Sequence, residues 1–133
     1  MKTITLSMIL FLFSGIVLSQ SDVSYYFNKQ VDMNFEKATE KVKEELKKQG
    51  FGVITEIDMD EKLKEKMDEI DIKPYRLLGA CNPKFAYETM QVEENIGLFL
   101  PCKVIIKYID EDTSEVVMIN PSAMMKMLGN EKA

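Results

Sequence analysis

The stretch "YRLLGACNP", residues 75–83, decides the fold, because it changes from one kind of backbone to another inside nine residues. Its first seven residues, Tyr75 to Cys81, read as a buried strand, and the Asn82-Pro83 pair that follows reads as a helix start. Asparagine suits the N-cap, where its side chain accepts an orphan backbone N–H. Proline suits the first helical position, where no N–H partner is needed. The spacing predicts a helix through Phe85, Ala86 and Met90 that ends before Gly97.

Downstream, "CKVIIKYI", residues 102–109, alternates Cys102, Val104, Ile106 and Tyr108 against Lys103, Ile105 and Lys107, as a strand with one more apolar face does. "DEDTS" is a turn and "EVVMI" the return strand. Asn120-Pro121 repeats the cap device before a last helix, "SAMMKML", stopped by Gly129. Upstream, Phe35, Ala38, Val42 and Leu46 follow Asn34 at helical spacing, and Gly50 stops them. "YYFNKQV", residues 25–31, has the aromatic and β-branched content of a strand. "FGVITEIDM", residues 51–59, alternates so that Phe51, Val53, Ile57 and Met59 share a face. A short helix with Leu63, Met67 and Ile70 on one side completes the series. The expected order is βαβαβαββα, an α+β domain with a single antiparallel sheet covered by helices.

The 133 residues suit one domain with one core. Residues 1–19 read as a secretory signal peptide: Lys2, then an apolar run from Ile4 to Leu18 too short for the roughly 20 residues of a membrane span, then Val17 and Ser19 placed for cleavage after Ser19. The alternative is an anchor formed by residues 4–18 and left uncleaved. The expectation is an exported chain, periplasmic or secreted, whose mature form makes no stable membrane insertion. Cleavage removes one of 17 basic side chains and none of the 22 acidic ones, leaving a net charge of −6. Nucleic acid and anionic membrane both require a positive surface, so neither is expected as a partner. The lysines alternate with glutamates in "EKATEKVKEELKK" and "DEKLKEKMDE", the pattern of solvated helix faces.

"GFGV", "LLGACNPKFA", "IGLFLPCKV" and "NPSAMM", in that order and at those separations, resemble the family called domain of unknown function 302 (DUF302). The resemblance spans residues 26–128, leaving residues 20–25 as a short N-terminal extension and 129–133 as a C-terminal tail. It implies a fold like that of the TATA-binding protein, with helices on one side of an antiparallel sheet, and it implies no DNA binding. Its two cysteine motifs mark Cys81, Asn82, Pro83, Pro101 and Cys102 as ligand-binding candidates.

The two cysteines admit several readings. If their strands are antiparallel neighbours, the sulfurs lie at one end of the sheet, and export favours a disulfide enclosing about 20 residues, stabilising by roughly 3 kcal/mol. Two reduced thiols packed as small hydrophobes are the plain alternative. A redox pair would use Cys81 as the reactive thiol, because helix N-terminal amides favour a thiolate, with Cys102 resolving the intermediate. Metal binding by Cys81 and Cys102 would have to enlist Met, since the chain has no His, and that donor set suits a soft ion such as Cu(I). Met118, Met124, Met125 and Met127 are the candidates, although Met at helical spacing also packs cores.

Without histidine no Ser-His-Asp or Cys-His centre exists, and no glycine-rich phosphate loop is present. Glu93-Glu94 and Asp110-Glu111-Asp112 read as solvated loop charge. Tyr25, Tyr26, Tyr75 and Tyr87 either pack the sheet or line a cleft in which Arg76 anchors an anion. Two functions follow: a non-enzymatic module binding a small ligand, a metal or a protein partner beside Cys81 and Cys102, or a thiol-disulfide redox protein using that pair. No cofactor is assigned, and the edge strands of an open sheet permit a homodimer.

Overall fold

Three asparagines set the helix starts, as expected. Asn34 Oδ1 accepts the N–H of Lys37 at 2.9 Å, Asn82 Oδ1 accepts those of Lys84 and Phe85 at 3.1 and 3.2 Å, and Asn120 Oδ1 accepts that of Ala123 at 3.3 Å. The computed structural model describes residues 24–127 and 129. The expected leader, residues 1–19, lies outside the described residues, as do most of the extension and of the tail. The strands are β1 (Tyr26–Val31), β2 (Gly52–Asp58), β3 (Tyr75–Cys81), β4 (Cys102–Tyr108) and β5 (Ser114–Ile119). The helices are α1 (Phe35–Lys48), α2 (Met59–Lys64), α3 (Pro83–Val92) and α4 (Pro121–Met127), with a 3-10 segment, Glu94–Phe99, between α3 and β4. The strands form one antiparallel sheet in the order β1-β5-β4-β3-β2, which is the α+β layout and the element order read from the sequence.

The register places Leu78, Val104, Met118 and Phe27 in one row across the sheet, on the face that the helices cover. Helix α1 lies on this face, and Ala38 together with Leu78, Ala80, Val104 and Ile106 forms the buried core. Val42 and Leu46 of α1 pack against it. Gly50, at φ 80°, ends α1: its own N–H bonds Lys47 O and the N–H of Phe51 bonds Leu46 O, so the chain turns back onto the sheet through a left-handed residue that glycine adopts without strain. Thr39 and Ser114, both fully buried, give their hydroxyls to Phe35 O and Met33 O. Among the described residues no buried side-chain nitrogen or oxygen lacks a partner.

Two sequence expectations change. Val53 pairs with Ala80 and Thr55 with Gly79, so Ile54 is an extra, bulged residue. The bulge inverts the alternation beyond it. Glu56 and Asp58 take the helix-covered face opposite Leu78 and Arg76, while Ile57 and Met59 are 41% and 36% exposed instead of sharing a buried face with Phe51 and Val53. The short helix also stops early, at Lys64. Glu69 sits in the left-handed region at φ 56°, a conformation no helix accommodates, and Met67 is left 52% exposed outside the helix. Strand β3 carries a glycine for a steric reason. A Cβ on Gly79 would lie 2.6 Å from Pro101 Cγ and closer still to Thr55 Oγ1.

Candidate functional site

The helix-covered face of the sheet has two unlike ends. At one, Arg76 projects beneath the start of α1. Its Nε donates to Asp58 at 2.5 Å and its terminal nitrogens to Glu36 at 2.8 and 3.2 Å, with Glu56 3.5 Å away. Its guanidinium also lies 4.9 Å over the ring of Phe35. Partial burial works against the charge, but Glu36 and Asp58 outweigh it and hold Arg76 protonated. Asp60 is nearby, buried, and accepts the Tyr75 N–H at 3.0 Å and Lys64 at 3.2 Å. This end is closed and satisfied. Arg76, considered as an anion anchor, is instead spent on the domain's own carboxylates.

At the other end the helices stand off the sheet. A cavity of about 810 Å³ opens between the second half of α1 and the wall formed by α3, the 3-10 segment and α4. Its floor is Ala80, Cys102, Val104, Val116 and Met118; its walls include Leu46 and Phe51 on one side and Phe85, Ile96, Phe99 and Met124 on the other. None of the side chains of α3 is buried, and Phe85, Met90 and Val92 are 55%, 52% and 50% exposed. Phe85 reaches across to Phe51, ring centroids 6.3 Å apart, at the cavity's edge. The lining is mainly apolar, with a few polar groups at the lip, and the volume falls within the range that small-molecule pockets span.

Cys81 and Cys102 both border this cavity. Their strands are antiparallel neighbours, as the sequence suggested, but Cys102 pairs with Ala80, so Cys81 is displaced by one residue along β3. Successive side chains point to opposite faces of a strand, and the two sulfurs are therefore not set opposite each other. Both are free thiols, which corrects the disulfide expectation. Burial pushes the Cys102 thiol above its ordinary pKa, and the neighbouring Cys81 adds to that.

Of the other candidates, Asn82 borders the cavity with its oxygen spent on the α3 cap, and Pro83 and Pro101 are not among its lining residues. Neither are Tyr25, Tyr26, Tyr75 or Tyr87. Met118, Met124 and Met125 border it, whereas Met127 is 80% exposed. Among the described residues no group of three or more Cys, Asp or Glu is gathered as a metal site. Glu93 caps the 3-10 segment by accepting the Asn95 N–H, and Asp110 accepts the Asp112 N–H within its turn, both local structural roles.

The sequence model of a family designated "Domain of unknown function DUF302" matches residues 27–133. The chain belongs to the DUF302 family. Among solved structures, an uncharacterized conserved DUF302 protein from Bacillus stearothermophilus has a similar fold, with a TM-score of 0.73 and 29% sequence identity over 80% of this chain and 81% of that one. No curated protein sequence matches the chain. In this DUF302 domain the cavity was not legible from its motifs, because it is a gap between elements. A usable signal was the run of large apolar residues on α3, more than a helix facing only water needs. Among the described residues no helix is long and apolar enough to cross a membrane.

Proposed function

We propose that this DUF302 domain is an exported, non-enzymatic binding module that holds a small apolar molecule in the cavity between sheet and helices. The observation that carries the reading is the cavity itself, about 810 Å³ and floored by Ala80, Cys102, Val104 and Val116. Apolar burial contributes roughly 0.8 kcal/mol per methylene, about fourfold in affinity. A homologous series of n-alcohols, titrated by calorimetry, is therefore expected to bind with affinity rising severalfold per carbon until the cavity is full. A flat series would contradict the reading. Export is supported by the leader pattern, and intact mass of protein recovered from the export compartment is expected to begin at Gln20.

The redox alternative has less support. The two thiols are offset by one residue, and Cys102 is held toward its protonated, unreactive form. Two thiols titrating without reductant, and no thiol-disulfide exchange, are expected. Exchange by the wild type that Cys81→Ser abolishes would favour the redox pair instead.

A further inference from the structure

Resting on the cavity reading, we infer that the ligand is amphipathic, with an apolar body in the cavity and a single anionic head at Lys29. The inner face of β1 runs Phe27, Lys29, Val31, opposite Met118, Val116 and Ser114, so a cation interrupts an otherwise apolar row at the cavity wall. Lys29 is on the helix-covered face by register yet exposed at the edge strand, so its ammonium stands at the cavity lip and keeps its contact with solvent. The other charged groups at the lip are already engaged. Lys41 pairs with Glu44 and Glu45, at 3.3 and 2.9 Å, and Lys48 holds the same two carboxylates. Lys103 donates to the carbonyl of Pro101 at 2.7 Å. Lys29 alone among these lysines has neither an ion pair nor a side-chain hydrogen bond within the described residues. The lip therefore offers Lys29 with no partner among the described residues, and Lys103 with only a neutral carbonyl, beside a large apolar volume. That combination complements a carboxylate, sulfate or phosphate monoester at the end of an alkyl chain. The domain's overall charge of −5 opposes an anion only at long range, and is screened within about 8 Å at physiological salt.

A competing account of Lys29 exists in the fold. Edge strands carry inward lysines to block pairing with a second sheet. The test separates the two. Dodecanoate, dodecanol and dodecylammonium, each below its self-association concentration, are titrated at about pH 8 into protein recovered from expression of the full chain. The expected result is dodecanoate binding about tenfold tighter than dodecanol and dodecylammonium weakest. Lys29→Gln should bring dodecanoate to within about twofold of dodecanol and leave dodecanol unchanged, and Lys29→Arg should retain the preference. Equal binding of all three ligands by the wild type overturns the anionic head and leaves the apolar cavity standing. Lys29→Gln protein that keeps the preference and only self-associates assigns Lys29 to edge protection and overturns the inference. No binding of any of the three defeats the cavity reading as well.

Discussion

The Arg76 end and the Cys102 end of one sheet face are built from the same strands under the same helix, yet one is closed by paired charges and the other is open. At the Arg76 end, α1 touches down through Phe35, Ala38 and Thr39, and Arg76 gathers the carboxylates of Glu36, Glu56 and Asp58. At the Cys102 end, α3 presents Phe85 without seating it, and the space between is left as cavity. Closure of one end supplies a core that holds the sheet, so the other end can remain unfilled and receive something else. Regions with few buried apolar contacts are the ones a domain can open at least cost.

The largest expected effect falls between the two ends. Leu78 is fully buried in the core, and Leu78→Ala should cost about 3 kcal/mol of unfolding free energy, within the 2–5 kcal/mol typical of such truncations. A loss under about 1 kcal/mol in denaturant unfolding would mean that the core is as loose as the cavity. Next is Arg76→Met, which keeps the apolar stem but leaves Asp58 and Glu36 without their cation. Because Glu36 is 69% exposed and rehydrates readily, the loss should be about 2 kcal/mol, less than the 3–5 kcal/mol of a fully buried pair.

Asp60 gives the closed end an acid dependence. Burial raises its pKa, but the Tyr75 N–H and Lys64 outweigh this, so the carboxyl titrates below its ordinary value. A group whose folded pKa is depressed contributes stability above its unfolded pKa of about 4, and that contribution is lost as pH falls through the folded value. Asp60→Asn should therefore lower the Tm at about pH 7 by an amount equivalent to about 1 kcal/mol, and should lose less than the wild type between about pH 5 and pH 2.5. Parallel acid limbs for the two proteins would remove Asp60 from the account. The smallest effect on stability is expected at the open end. Ala86→Trp projects into free volume, so its stability should stay within about 1 kcal/mol of the wild type, unlike the 1–3 kcal/mol cost of overpacking a filled core. The same change should weaken dodecanol binding at least tenfold; unaltered binding would place the ligand elsewhere.

The parts of this molecule readable from sequence are those fixed by local chemistry. Asn34, Asn82 and Asn120 each cap the helix expected of them, Gly50 stops α1, and the strand beginning at Cys102 alternates as written, because caps and pleats act within a few residues. The bulge at Ile54 was hidden, since an extra residue is visible only against the partner strand that defines the register. The offset of the cysteines escaped for the same reason: neighbouring strands are implied by order, but a one-residue slip between Cys81 and Cys102 is set by the whole β3-β4 ladder. Cys81, Asn82 and Cys102 all border the cavity. The cavity depends on how far α3 stands from the sheet, and no single residue encodes that distance.

The most direct test of the central claim is an amide chemical-shift map of the protein titrated with dodecanol, a probe whose neutral head leaves the charge question aside. The account predicts shifts concentrated at Ala80, Cys102, Val104, Ala86 and Met124, with Asp60 and Arg76 still. Shifts spread over the opposite sheet face, at Leu77, Ile105 and Val117, or no saturable shift at all, would contradict it.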